Sequence, residues 1–168
     1  MDRDEILGHL RELARVLHDR GVTGEMYVVG GAAIALAFDE RRSTRDIDAV
    51  FEPKQSVYEA AATVAAARGL PAGWLNDAVK GFLAGPDPTS AIVLEVPGLR
   101  VSTGSPRLLL AMKVLSHRAG DDEDDVRLLA DELGLSTSAQ ILSVASDVYG
   151  ERLDVAARFF VEQLFPPS

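Results

Sequence analysis

The stretch over residues 26–51, MYVVGGAAIALAFDERRSTRDIDAVF, constrains the chain more than any other. It opens on an apolar run, Tyr27-Val28-Val29, that stops at Gly30-Gly31. A helical segment of small residues follows over 32–38, and then a polar turn carries Arg41, Arg42 and Arg45. The stretch closes on Asp46-Ile47-Asp48-Ala49-Val50-Phe51, which alternates as a strand with one buried face does. Side chains on a strand alternate faces, so Asp46 and Asp48 point the same way. A rise of about 3.3 Å per residue puts their Cα atoms roughly 6–7 Å apart. Two carboxylates so placed repel each other unless a positive group lies between them. Mg²⁺ suits that position, because it takes one or two carboxylates and completes its shell with water and substrate phosphates.

The glycine pair serves the same chemistry. Gly-Gly at a strand end lets the backbone turn with positive φ and lets a ligand approach closely. The helix after it offers unpaired N–H groups and a positive dipole end to a phosphate. Each part has a plainer reading: Gly-Gly as a structural turn, Asp-x-Asp as capping or loop residues. The ordered combination of strand, Gly-Gly, helix, Arg-x-Thr-x-Asp-x-Asp and strand favours a seat for a nucleoside triphosphate with its Mg²⁺. Arg42 and Arg45 then face two roles, phosphate or acceptor contact, or neutralisation of the two aspartates.

A chain of 168 residues makes one domain, or one domain with a small helical annex. Its 47% hydrophobic and 26% charged content is that of an ordinary globular protein. With no cysteine, disulfides, thiolate zinc sites and cysteine nucleophiles are excluded. A net charge of −9 argues against broad nucleic-acid binding but leaves room for one local basic patch. The start, Met-Asp-Arg-Asp-Glu, is unlike a secretory signal, and no apolar run approaches the roughly 20 residues of a membrane span. The expected compartment is the cytoplasm, with no membrane partner.

Apolar spacing predicts a first helix over 4–20, stopped by Gly21. His18 near its end reads as a solvated or dipole-satisfying residue. An Ala-rich helix spans 54–68. The strand–helix–strand rhythm suggests a sheet with helices on it. Residues 73–82 are less regular; Trp74 is expected in the core rather than under a base. Asn76, Asp77 and Lys80 either reach phosphate or metal, or form an Asx turn and a surface lysine. Strands over 91–96 and 99–103, joined by Pro97-Gly98, make a hairpin. Ser105-Pro106 starts a helix carrying Lys113 in an apolar setting up to residue 118. That lysine either snorkels or meets a triphosphate, and it shares a helical face with His117. The acidic run 121–125 opens a helix to residue 133, with Asp122 and Asp125 on one face. Two further helices over 136–149 and 151–165 form a hairpin packed on the helix before it.

Gly30-Gly31 followed by Arg42-Ser43-Thr44-Arg45-Asp46-Ile47-Asp48 resembles the nucleotidyltransferase fold of the DNA polymerase β superfamily. More narrowly, it is similar to the AbiEii-like and MenT-like nucleotidyltransferase toxins of bacterial toxin–antitoxin systems. Trp74-Leu75-Asn76-Asp77, Lys113 and Asp122-x-x-Asp125 extend the resemblance to about residues 25–135. Many members have Gly-Ser where this chain has Gly30-Gly31, so a phosphate contact made there by serine would fall to the backbone, Ser43 or Thr44. The resemblance implies an α+β fold, with a small mixed β-sheet nucleotidyltransferase core over 1–104 and a C-terminal helical part over 105–168, forming one compact unit. It implies transfer of a nucleoside monophosphate from an NTP to a hydroxyl. Asp46 and Asp48 would hold Mg²⁺, Lys113 and Asp125 would join them in catalysis, and Gly30, Gly31, Ser43, Thr44, Arg45 and Lys80 would bind the nucleotide. Asp48, Asp125 or a third strand carboxylate, Glu95, would take the hydroxyl proton. The implied acceptor is a tRNA 3′ end and the implied partner an antitoxin protein. A small-molecule or protein hydroxyl as acceptor, or a non-catalytic nucleotide binder, stays open. Convergence of Arg41, Arg42, Arg45, Lys80, Lys113, His117 and Arg118 would favour RNA.

Overall fold

The alternation at residues 24–29 and 47–52 builds the centre of a mixed sheet. The structure is a computed structural model that describes residues 1–83 and 85–168. It is an α+β protein that divides into two compact units. One comprises Met1–Leu83 and Thr89–Gly104; the other comprises a short stretch ending at Pro88 and Ser105–Ser168.

The first unit opens with helix α1, Arg3–Asp19. Its start is a capping box: the Asp2 carboxylate accepts from the Glu5 N–H at 2.9 Å, and the Glu5 carboxylate accepts from the Asp2 N–H at 2.8 Å. Ile6, Leu10, Leu13, Ala14 and Leu17 form its buried face. Strand β1, Gly24–Val29, leads into helix α2, Gly30–Ala37. Strand β2, Ile47–Glu52, and helix α3, Lys54–Arg68, follow. Strand β3 is only Leu75–Asn76, and a 3₁₀ turn spans Ala78–Phe82. Strands β4, Ala91–Val96, and β5, Leu99–Thr103, form the hairpin expected at Pro97-Gly98. The sheet order is β3-β2-β1-β5-β4. β1 is antiparallel to β2 and parallel to β5, and β2 is parallel to β3. α1 packs on α3 and β5, and α3 packs on β2. Ile47, Ala49 and Phe51 are buried in alternation with half-buried Asp48 and Val50, and the Phe51 ring meets Tyr58 of α3 edge-on at 4.9 Å.

Two boundaries beside Gly30-Gly31 and Asp46 differ from the sequence reading, for one reason. The chain turns from strand to helix within the single residue Gly30, whose φ is +66°, so Gly31 already belongs to the helix. Because β1 ends there, its ladder with β2 ends at Val29 opposite Asp48. Asp46 has no partner on β1 and lies in a bend just before the strand, with its carbonyl accepting from the Thr44 hydroxyl at 3.1 Å.

In the second unit, helix α4 spans Pro106–Leu115. Ser105 caps it through a 3.2 Å bond from the Leu108 N–H, and Asp87 accepts from the Ser105 N–H at 2.7 Å. The helix stops at Leu115 rather than 118. Ser116 turns its hydroxyl onto the Met112 carbonyl at 2.8 Å, and His117 Nδ1 lies 3.1 Å from the Val114 carbonyl, so side chains take over from the helical ladder. Helix α5, Glu123–Glu132, ends before Gly134, and a Thr137–Gln140 capping box starts α6, Ser138–Tyr149. Helix α7 spans Val155–Leu164. It starts later than expected because Gly150–Arg152 forms a 3₁₀ turn and Asp154 supplies the cap, accepting from the Ala157 N–H at 2.8 Å. The α6–α7 hairpin packs mainly on α4, not on the α5 helix before it. Among the described residues, no helix is long and apolar enough to cross a membrane.

Among the described glycines, Gly98 leaves the least room for a side chain. Its φ is +93°, and a Cβ there would fall 2.2 Å from the Ala14 carbonyl oxygen and 3.0 Å from His18 Cβ on α1. Gly21 also has positive φ, +70°, but nothing lies within 4 Å of its absent Cβ. Alanine in the left-handed region costs about 1–2 kcal/mol. Gly21→Ala should therefore lose about that much. Gly98→Ala should lose clearly more, which at this chain length lowers Tm by more than about 4 °C. Thermal melts of the two variants side by side read the difference, and equal losses would show that the α1 contact carries no energy.

Candidate active site

The register of β1 with β2 brings the strand end at Val29 against Asp48. A Cβ on Gly30 would lie 3.3 Å from Asp48 Oδ2. A Cβ on Gly31 would lie 3.2 Å from Thr44 Oγ1, 3.4 Å from Thr44 Cβ and 4.0 Å from Arg42 Nη2. The space the glycines leave is thus used by the chain's own side chains: Asp48 packs on Gly30, and the turn carrying Arg42 and Thr44 folds over Gly31. That turn is pinned at Thr44, whose N–H donates to the Met1 carbonyl at 2.9 Å and whose carbonyl accepts from the Met1 ammonium at 2.6 Å. The α2 helix starts after Val29, which has no capping side chain. Its first N–H groups and positive dipole end therefore lie beside Asp48.

Asp46 and Asp48 are half-buried, and the Ile47 between them is fully buried. Asn76 on β3 is in register with Asp48. Its Nδ2 lies 3.5 Å from Asp46 Oδ2, and its Oδ1 accepts from the Ala78 N–H at 3.2 Å. Among the described residues there is no group of three or more His, Cys, Asp or Glu that would hold a metal by themselves. Two carboxylates and an amide beside a helix start suit Mg²⁺, which draws the rest of its shell from water and phosphate.

The remaining expected residues divide. Thr44 is half-buried against Gly31, while Ser43 and Arg45 flank it exposed. Arg41 is exposed, with Asp39 at 3.4 Å. Lys80 is exposed on the 3₁₀ turn that follows Asn76. Trp74 is core, 1% exposed, with its indole N–H on the Ala61 carbonyl at 3.0 Å. Glu95 is not a third carboxylate of this site. It sits exposed on β4, level with Arg100, Glu25 and Glu52 across the sheet. Two strands separate β4 from β2, and Glu52 is at the opposite end of β2 from Asp48. Two residues were not foreseen in any role here. Tyr58 donates its hydroxyl to Asp77 at 2.6 Å, and Lys54 pairs with Asp77 at 2.7 Å. Bonds from Lys54 and Tyr58 hold the Asp77 carboxyl below the usual range. Their i, i+4 spacing at the start of α3 was the available signal.

Within the second unit, Lys113 Nζ lies 2.6 Å from Asp122 Oδ1 and 3.0 Å from Asp125 Oδ2. All three are buried: 8%, 1% and 4% exposed. Asp122 also accepts from the Arg118 N–H at 2.8 Å, with the Arg118 Nε at 3.6 Å. Burial opposes ionisation of Asp122, but Lys113 and Arg118 outweigh it and hold its carboxyl below the usual range. Lys113 is therefore no snorkelling surface lysine. His117 does not join it in an exposed basic face; its ring stacks on Phe160 at 4.8 Å. Elsewhere in this unit, α6 and α7 border a cavity of about 400 Å³ lined by Ser138, Leu142, Asp154 and Arg158 among others.

A mixed sheet whose Gly-Gly turn abuts Asp48 agrees with the resemblance drawn from the sequence. Residues 5–154 match the family described as "Nucleotidyltransferase of unknown function (DUF6036)", and the chain belongs to that family. No curated protein and no solved structure gives a significant match.

The buried triad supports two measurements. Lys113→Met strands two buried carboxylates and should lower stability by about 3–5 kcal/mol, read by urea denaturation. The second is pH dependence. Asp122 titrates lower folded than unfolded, so its stabilisation is complete above its unfolded pKa of about 3.9 and is lost as pH falls through the folded value. Melts between pH 7 and pH 2.5 should show a shallower acid decline for Asp122→Asn than for the wild type.

Proposed function

We propose that the protein transfers a nucleoside monophosphate from an NTP to an acceptor hydroxyl at the Asp46/Asp48 site with Mg²⁺ bound. The observation that carries this reading is the packing of Gly30 against Asp48, which sets the start of α2 beside the Asp48 carboxylate. Asp46 and Asp48 would hold the metal, which when bound supplies Lewis-acid polarisation of the phosphate and charge neutralisation. The N–H groups of Gly30 and Gly31 would cradle phosphate oxygens, and the Thr44 and Ser43 hydroxyls would stand in for the serine found in similar sequences. Arg45 and Lys80 would complete the nucleotide contacts from the exposed side. The acceptor oxygen forms a new bond to the α-phosphorus as the bond to pyrophosphate breaks, and the hydroxyl proton passes to Asp48. Lys113 and Asp125 are already paired with each other, so a triphosphate role for Lys113 requires Asp122 and Asp125 to share its charge.

Similarity to AbiEii-like and MenT-like toxins favours a tRNA 3′ end as acceptor and an antitoxin protein as partner. The net charge of −9 and the Arg41–Asp39 pair favour instead a small-molecule or protein hydroxyl. Label transfer separates them. Purified protein is incubated with Mg²⁺, each α-³²P NTP and total tRNA, beside an Asp46→Ala/Asp48→Ala control. The expected result is label on tRNA that falls about 100-fold or more in the control. Label only on protein or a small molecule would move the acceptor. A folded protein that transfers label to nothing would overturn the reaction.

A further inference from the structure

We infer that Asn76 is the positioning residue of this site, a neutral amide that steers Asp46 from the strand position next to Asp48; the inference rests on the metal–nucleotide reading above. Three observations carry it. The parallel register of β2 and β3 sets Asn76 level with Asp48. The amide has a fixed orientation, because Oδ1 accepts from the Ala78 N–H at 3.2 Å and so turns Nδ2 toward Asp46 Oδ2 at 3.5 Å. And the two-residue strand is clamped on both sides. Before it, the Trp74 indole bonds to α3 and the Trp74 carbonyl accepts from the Ile47 N–H at 2.7 Å. After it, Asp77 is held by Tyr58 at 2.6 Å and Lys54 at 2.7 Å.

The clamp restrains the backbone on either side of Asn76 and so holds its side chain in place. Electrostatics says why that side chain is an amide. A carboxylate there would gather three negative groups on adjacent strands, which repel. The amide donates to Asp46 instead, offsets part of the Asp46–Asp48 repulsion and leaves the other Asp46 oxygen to a cation. The site then has two carboxylates of its own, and a divalent cation takes its remaining ligands from the nucleotide's phosphates.

The test is Mn²⁺ binding to the full chain without nucleotide, read by the loss of the free-ion electron paramagnetic resonance signal. It compares wild type, Asn76→Ala, Asn76→Asp and Asp48→Asn, with a thermal melt of each. Asn76→Ala should weaken Mn²⁺ binding about 10-fold, as loss of a group that orients a ligand does. Asn76→Asp should tighten it about 10-fold, because a third carboxylate joins the pair. Opposite directions distinguish a residue that acts on the Asp46/Asp48 pair from one that only supports β3, since a supporting role would be harmed by both changes. Wild-type affinity in both variants, or weakening in both, overturns the inference. Wild-type affinity in Asp48→Asn overturns instead the metal reading on which it rests.

Discussion

The contact between Gly30 and Asp48 is the constraint on which the site depends. It requires a left-handed residue at the end of β1, no Cβ there, and an antiparallel register that ends at Val29 opposite Asp48. Each condition has its own cause in the chain. Glycine alone takes positive φ without steric cost. The apolar alternation of β2 sets its register, because a slip of one residue would turn Ile47 outward and Asp48 into the core. Together they set the uncapped start of a helix beside Asp48, two residues from a second carboxylate, an arrangement that favours a cation and an anion arriving together.

Around that contact the protein invests in restraint. The N-terminal residue clasps Thr44 by two backbone bonds, and Thr44 closes over Gly31. α3 reaches from the covered face of the sheet to fix both ends of β3 through Ala61, Lys54 and Tyr58. In the second unit the same principle is applied to charge: Lys113, Asp122 and Asp125 are buried as a set, so removing one member costs far more than the set contributes.

Much of this was legible in the residues. The hairpin at Pro97-Gly98, the span of α3 and the cap at Ser105-Pro106 follow from turn chemistry and spacing, which act locally. The period-2 reading of Asp46 and Asp48 meets a limit, because Asp46 lies just outside the strand: pairing depends on where β1 ends. What was not legible is non-local. Glu95 has the alternation of a site carboxylate, but sheet order puts two strands between β4 and β2. The resemblance groups Asp125 with Lys113, and they do pair, but the shorter bond of that lysine to Asp122 comes only from the turn after Leu115. The amide of Asn76 gains meaning only from the parallel register of β3 with β2.

The most direct measurement of the central claim is amide chemical-shift mapping by NMR on ¹⁵N-labelled protein, titrated with an NTP analogue and Mg²⁺. The account predicts that the largest changes fall on Gly30, Gly31 and Ala32 at the start of α2, on Thr44 and on residues 46–48, and that they fade when Mg²⁺ is chelated. Changes centred on the α6–α7 cavity around Ser138 and Arg158, with Gly30 and Gly31 unmoved, would contradict it.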